Sequence, residues 1–395
     1  MSHPDEPTED PTGQPTGQAT GAPADPGRRP RVAVVFGGRS SEHAISCVTA
    51  GSVLQALDPD RYDVVPIGIA TDGRWVLESA EPERLRIEAP DRLPSVDPDR
   101  AAVSLSRDAR GTSLVVAEPS APPRALGEVD VVFPLLHGPW GEDGTLQGML
   151  EMAGVRYVGA GVLASAVSMD KAFMKVVLAA AGLPVLPSTT VTASEWARDP
   201  SGCRARAAEL GYPLFAKPAR GGSSIGISKV HDESELEAAI LAAAEHDPKV
   251  LVEVAAEGAR EVECGVLGSF DGPPETSVPA EIRIGGEHEF YDFAAKYLPE
   301  EHTELDVPAE LEPGVTERLQ ALAARAFEAV GCEGLARVDF FVMPGGELVV
   351  NEINTMPGFT PTSMFPRMWA ASGLDYPSLV DRLIQLALAR GTGLR

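Results

Sequence analysis

The segment from Gly334 to Asn354 restricts this chain more than any other. Two β-forming runs, LARVDFFVM and ELVVNEIN, flank Pro344-Gly345-Gly346, so the segment reads as a hairpin. Alternate residues of a strand share a face, which puts Arg337 with Asp339 and Glu352 with Asn354. Closing the hairpin brings Asp339 to within about one residue of opposite Glu352. An Asp, a Glu and an Asn amide oxygen on one face make a hard-oxygen cluster. Such a cluster suits a Mg²⁺ that keeps waters and gains phosphate ligands. A solvated polar face is the other reading of such a hairpin. Leu348 and Val350 continue the same face inward, so the carboxylates stand at the end of a buried stripe, which favours the metal.

Upstream, buried strands and helices alternate. VAVVF after Arg31 reads as a strand broken at Gly37-Gly38, with a helix following in SEHAIS. YDVVPIGI and VDVVFPLLH read as further strands, and GTLQGMLEMAG as a helix ending at Gly154. This alternation predicts a parallel, doubly wound α/β unit over residues 31–165. A second unit is expected over 166–272 and a third over 273–395, the latter with an irregular polar stretch at 285–305. Residues 1–30 have almost nothing to bury and read as a disordered tail.

Lys and Arg number 33 against 58 Asp and Glu, a net charge of −25. That charge repels nucleic acid and anionic membrane surfaces, so neither is expected as a partner. No apolar run reaches the length of a membrane span, and the first 30 residues lack the apolar core of a secretory signal. Cys47, Cys203, Cys264 and Cys332 form no CxxC pair and read as idle thiols of a reducing, cytoplasmic compartment.

Several loops carry candidate chemistry. Lys217-Pro218-Ala219-Arg220-Gly221-Gly222-Ser223-Ser224-Ile225-Gly226 lies between two strands, either as a plain turn or as a flap whose N–H groups and hydroxyls cradle phosphate. GSSIG there is no nucleophile elbow, because a strand and not a helix follows, and a Walker A sequence does not occur. GGRSSEH follows the first strand, at the edge where open parallel sheets bind ligands. Glu42 there could hold a substrate ammonium, or serve as a helix N-terminal acid behind an Ser40 or Ser41 cap. His137 in LLHGPWGEDG is structural or functional on the same footing. Lys171, Lys217 and Lys296 either neutralise phosphate or carry their ammonium groups out to solvent.

Taken together, VFGGRSSEHAIS, the stretch beginning LHGPWGEDG, AKPARGGSSIGI, EFYDFAAKYL, GLARVDFFV and VNEINTMPGFTPTSMFP resemble the D-alanine–D-alanine ligases from about Arg31 to Leu388. The resemblance implies an ATP-grasp fold: a doubly wound parallel N-terminal α/β domain followed by two α+β grasp subdomains. It further implies a cytoplasmic homodimer making a peptidoglycan dipeptide from ATP and D-alanine. Lys171 and Lys217 would contact the ATP phosphates under Ser223 and Ser224, with Glu253 and Val254 at the adenine and Glu261 at the ribose. Asp339, Glu352 and Asn354 resemble the ligands of two Mg²⁺ ions, for which Mn²⁺ can substitute. Glu42 would bind the first D-alanine, in a pocket shared with His137, and would form a loop-closing set with Ser223 and Tyr297. Lys296 and Ser363 would take the second carboxylate, Lys296 also approaching the γ-phosphate. Arg337 and the Gly358 N–H resemble oxyanion donors. Ala294 departs from the acidic residue many relatives carry there. A depsipeptide ligase of the same fold and a non-catalytic ATP-binding regulator are the alternatives.

Overall fold

The computed structural model describes residues 28–393, except 88, 90–91, 109–110, 119, 223–224 and 285–302. Its first apolar run lies in the middle of a sheet. β1 (Arg31–Gly37), β2 (Asp63–Ile69), β3 (Trp75–Leu77), β4 (Ala102–Arg107), β5 (Thr112–Glu118), β6 (Ala121–Glu128), β7 (Val131–Pro134) and β8 (Arg156–Tyr157) make eight strands, ordered β6-β5-β4-β3-β2-β1-β7-β8. The β2-β1-β7-β8 half is parallel, and helices cover both of its faces. On one face α1 (His43–Ala56) sets Cys47, Ala50 and Val53 against Val32, Val34 and Phe36. On the other, Leu146 and Leu150 of α2 (Thr145–Ala153) cover Ala33 and Val35. The expected doubly wound unit is therefore present.

Sequence reading did not anticipate the other half, where β2 to β6 pair antiparallel. β6 contains Pro122 and Pro123 and is mostly exposed, so it carries no apolar alternation to read. Residues 28–30, counted with the tail on composition, are tied down. The Pro30 carbonyl accepts from the Asp63 N–H at 3.0 Å, and Arg28 pairs with Asp130 at 2.8 Å. Residues 1–27 lie outside the described residues.

After α3 (Val162–Met169) and α4 (Lys171–Ala180) comes a four-stranded antiparallel sheet, ordered β11-β10-β12-β9. It consists of β9 (Ser188–Thr192), β10 (Leu214–Pro218), β11 (Ser228–Val230) and β12 (Lys249–Val254). Helices α5 (Ala193–Arg198), α6 (Pro200–Ala208) and α7 (Glu233–Ala244) close its core around Leu214, Val230, Ile240 and Val252.

The third sheet is also antiparallel and comprises β13 (Arg260–Gly268), β14 (Glu275–Thr276), β15 (Ala280–Ile284), β16 (Thr303–Asp306), β17 (Gly334–Val342) and β18 (Leu348–Asn354). β13 belongs to this sheet, so the sheet begins before residue 272, the boundary expected from sequence. β16 takes the end of the polar 285–305 stretch. Helix α8 (Val315–Ala329) backs the sheet, and α9 (Met364–Ala371) and α10 (Tyr376–Ala389) close the chain.

Helix α10 returns to the first sheet, where Leu379, Leu383 and Ile384 share one apolar cluster with Phe36, Phe133 and Phe359. Arg390 at its end locks the joint. Its guanidinium donates to the Gly159 carbonyl at 2.6 Å, lies 4.4 Å over the Tyr157 ring and stands 3.6 Å from the Glu333 carboxylate. Both charged side chains are almost fully buried, so deleting the cation should cost about 3 kcal/mol. Arg390→Met is expected to melt several degrees below the wild type by calorimetry, and Arg390→Met/Glu333→Gln to recover part of that loss.

Candidate active site

The hairpin closes as strand parity requires: Arg337 pairs with Asn354 and Asp339 with Glu352, and the register shifts just after Asp339. On the other side of β17, Glu263 of β13 pairs with Asp339. Three carboxylates thus lie in a row across three strands, with one guanidinium among them. Arg337 donates both arms of its fork to Asp339 at 2.7 Å each and stands 3.2 Å from Glu263. Burial opposes the cation, but Asp339, Glu263 and Glu352 hold it protonated well above even the usual arginine range. The Asn354 amide lies 2.9 Å from Asp339 and 3.4 Å from Glu352, through its nitrogen. A half-turn of that amide would bring its oxygen to the same place.

Lysines face this row from the second unit and α4. Lys171, the first residue of α4, donates to the Gly221 carbonyl at 2.8 Å and stands 3.3 Å from Glu352. Lys217 on β10 ion-pairs with Oε1 of Glu253 on β12. Lys175, one helical turn beyond Lys171, stands 2.8 Å from Oε2 of the same carboxylate. Burial alone would raise the Glu253 carboxyl, but Lys217 and Lys175 hold it below its ordinary range. Sequence reading missed Lys175, although its four-residue spacing from Lys171 was the available signal.

The first sheet supplies the third wall from the carboxyl ends of β1 and β7. Ser46 of α1 joins those ends, accepting from the Gly37 N–H at 2.8 Å and donating to the Leu135 carbonyl at 2.7 Å. Neither Ser40 nor Ser41 caps α1; Glu42 occupies the cap position without a capping side-chain bond, and the Ser40 hydroxyl donates to the His137 carbonyl at 2.8 Å. The Glu42 carboxylate lies against Gly138, where a Cβ would meet Oε2 at 3.0 Å, and it faces Gly222 of the flap.

His137 is buried and hydrogen-bonds the Met356 carbonyl through Nδ1 at 3.0 Å, which assigns the proton to Nδ1. Its Nε2 has no hydrogen-bond partner among the described residues, and the ring lines the cavity. Burial depresses its pKa against the pull of Glu42, so the ring is a neutral acceptor.

Glu142, which sequence reading also missed, accepts from the N–H groups of Gly138 at 2.5 Å and Met356 at 3.1 Å. Its spacing from His137 carried no pattern that singled it out. Burial, and then the neighbouring Glu42 charge, push its carboxyl up to about 8.

These walls enclose a cavity of about 500 Å³, within the range of small-molecule sites. Glu42, His137, Lys171, Lys217, Glu253, Val254, Glu261, Arg337, Asp339, Glu352, Asn354, Gly358 and Ser363 all line it. The Val254 N–H is committed to the Pro187 carbonyl at 3.1 Å. The Ser363 hydroxyl stands 2.8 Å from that of Thr360 and accepts from the Thr360 N–H at 3.1 Å, which fixes the turn after Gly358. Ser223, Ser224, Ala294, Lys296 and Tyr297 lie outside the described residues. Among the described lining residues eight carboxyl groups face four Lys and Arg side chains. A polyphosphate can approach such a wall only with added cations. Two carboxylates opposite each other with an amide beside them fit a hard divalent ion, once Arg337 and Lys171 yield part of their hold.

Two antiparallel sheets closing on a cavity, lysines on one wall and carboxylates with an amide on the other, define an ATP-grasp enzyme. Family models described as D-ala D-ala ligase N-terminus and C-terminus match residues 31–160 and 177–385. A D-alanine--D-alanine ligase of Arthrobacter sp. is 58% identical over 369 residues, covering 93% of this chain and 96% of that protein. The solved D-alanine-D-alanine ligase from Coxiella burnetii is 36% identical with a TM-score of 0.75, covering 92% of this chain and 94% of the other. The VanG D-Ala:D-Ser ligase from Enterococcus faecalis, also 36% identical, has a TM-score of 0.77 and covers 91% and 100%. The chain belongs to the D-alanine–D-alanine ligase family. Membership implies the use of ATP and a divalent metal.

The raised Glu142 carboxyl has a consequence for stability. The unfolded chain gives up this proton near pH 4.5, whereas the folded chain holds it to about 8. Its contribution is therefore complete below the first value and is lost as pH rises through the second. In ligand-free protein, Glu142→Gln is expected to flatten the fall in melting temperature between those two values. An unchanged slope would show that Glu142 ionises normally.

Proposed function

We propose that this chain joins two D-alanines into D-alanyl-D-alanine at the expense of ATP, through an acyl phosphate, for peptidoglycan precursor synthesis. The observation that carries the reading is the meeting of three groups in one cavity: Glu42, the Lys171 and Lys217 pair, and the Arg337–Asp339–Glu352–Asn354 hairpin. Glu42 offers a carboxylate to an α-ammonium, beside the neutral His137. Lys171 and Lys217 neutralise phosphate oxygens, with Ser223 and Ser224 above them. Glu253 and Val254 lie toward the adenine and Glu261 toward the ribose. Arg337 and the Gly358 N–H aim at the oxyanion formed when the second amine attacks, the largest single contribution expected of such a site. Lys296 and Ser363 take the second carboxylate, and Tyr297 closes the loop onto Glu42 and Ser223, which keeps water from the acyl phosphate.

Asp339, Glu352 and Asn354 would hold two Mg²⁺ ions, replaceable by Mn²⁺, which spread the charge of the transferring phosphate. Their place beside Lys171 supports this assignment. The unit over 31–165 would serve the first D-alanine, 166–272 the nucleotide lid, and 273–395 the metal and the second substrate. We place the protein in the cytoplasm as a homodimer. No helix among the described residues is long and apolar enough to cross a membrane. Exposed Met152, Leu163, Phe173 and Val176 on α2, α3 and α4 offer apolar surface to a second copy.

The direct test is a competition with equal D-alanine, D-lactate and D-serine in the presence of ATP and Mg²⁺, products separated by mass. D-Alanyl-D-alanine is expected to dominate above about pH 7.5, where the amine nucleophile can arrive neutral. A predominance of D-alanyl-D-lactate would establish the depsipeptide reading, and phosphate release without D-alanine would exclude ligation.

For the metal, Glu352→Gln is expected to lower kcat by about three orders of magnitude or more while the melting curve stays near wild type. Mn²⁺ binding followed by electron paramagnetic resonance should weaken in parallel. Near-normal turnover at saturating Mg²⁺ would remove Glu352 from the ligand set.

A further inference from the structure

Lys175 has no place in the roles assigned so far. Its ammonium is nonetheless among the most deeply buried cations described, its side chain 5% exposed, and the Glu253 carboxylate beside it is 3% exposed. Each oxygen of that carboxylate faces a different lysine, Oε1 the Lys217 ammonium and Oε2 the Lys175 ammonium. The two lysines reach it from different elements: Lys217 from the neighbouring strand β10, Lys175 from α4. Only Lys217 of the two lines the cavity. The Lys175 ammonium meets Oε2 of Glu253 at 2.8 Å; burial lowers its pKa, and the Glu253 carboxylate opposes that shift.

A single buried ion pair would suffice to neutralise Glu253. The second cation makes a cluster with one surplus positive charge, beneath a cavity read as the seat of a polyphosphate. Lys217 cannot serve that phosphate and remain on Glu253 with full strength. If it were the only partner, drawing it away would strand a buried anion, and the cost of that would subtract from nucleotide affinity.

We propose that Lys175 is a positioning residue for the nucleotide: it stays on Glu253 as the resident counter-ion, so that Lys217 can turn its ammonium from that carboxylate to the phosphates. The inference rests on the ATP reading of the cavity and adds to it the group that makes Lys217 transferable. Lys171 needs no such device, because its carboxylate partner, Glu352, also faces the Arg337 cation, and its other partner, the Gly221 carbonyl, is uncharged.

The experiment is calorimetric binding of Mg²⁺·ADP without D-alanine, with steady-state kinetics alongside, for wild type, Lys175→Met, Glu253→Gln and the double variant. Lys175→Met should weaken nucleotide binding about tenfold or more and raise KM for ATP to match, with kcat and KM for D-alanine within about twofold of wild type. In the Glu253→Gln background no anion is left to strand, so the same lysine change should alter nucleotide affinity less than about threefold. Neither Glu253→Gln protein holds the buried anion, and a Lys175 left without its carboxylate can shed its proton, so that comparison stands even if Lys175→Met alone does not fold. An equal loss in both backgrounds would overturn the proposal, as would a loss spread over kcat and both KM values. A wild-type protein that binds no nucleotide would instead refute the ATP reading itself.

Discussion

The Arg337 guanidinium is the point on which the catalytic half of the molecule depends. It lies on the middle of three adjacent strands, and the carboxylates of Glu263, Asp339 and Glu352 surround it. Three acids brought together by strand register would repel one another in a buried site. One permanent cation among them lets β13, β17 and β18 keep the register that lines them up. In the proposed reaction the same cation would meet the oxyanion. Fold and chemistry therefore use one interaction, and β13, β17 and β18 cannot slip by a residue without losing it.

An enzyme with a net charge of −25 and an acid-rich cavity must make positive potential locally. It does so in two tiers. Lys171 starts a helix whose cap, Asp170, is itself neutralised by Lys249 at 2.8 Å, so the helix end adds no free anion there. Lys175 and Lys217 then share Glu253 below. Each of these lysines faces a carboxylate, and in the proposed function a nucleotide would compete with Glu352 and Glu253 for them. Competition of this kind favours a ligand that brings its own divalent cations, because those satisfy the carboxylates the lysines leave.

Strand parity made the hairpin legible, because a period of two leaves few choices for Arg337, Asp339, Glu352 and Asn354. The parallel half of the first sheet was equally plain from the fully apolar runs of β1 and β7. The antiparallel extension β3 to β6 was not, since short half-exposed strands with two prolines carry almost no pattern. Glu42 and His137 became site residues only through the resemblance, as a lone acid or imidazole after a strand fits several uses. Glu142 and Lys175 escaped altogether. Both are defined by partners distant in sequence, Met356 for the first and Glu253 for the second; the four-residue spacing from Lys171 puts Lys175 on the same helix face but does not name its partner.

The corner around Glu42 shows what those hidden partners accomplish. His137 is buried with its proton on Nδ1, fixed by the Met356 carbonyl, and is neutral. Glu142, with its carboxyl raised to about 8, is mostly protonated at neutral pH. Two titratable groups beside Glu42 are thus held uncharged, and the Glu42 carboxylate supplies the negative potential there. In the proposed function a cationic α-ammonium would be received against it without a competing histidinium or a second charged carboxylate. The Gly138 N–H ties Glu142 to the loop on which Glu42 rests, and the Met356 N–H ties it to the segment that follows the Asp339–Glu352 hairpin. One half-buried acid therefore couples the Glu42 edge of the first sheet to the hairpin edge of the third. In the proposed function this shared joint would set the two reacting ends of the substrates relative to each other.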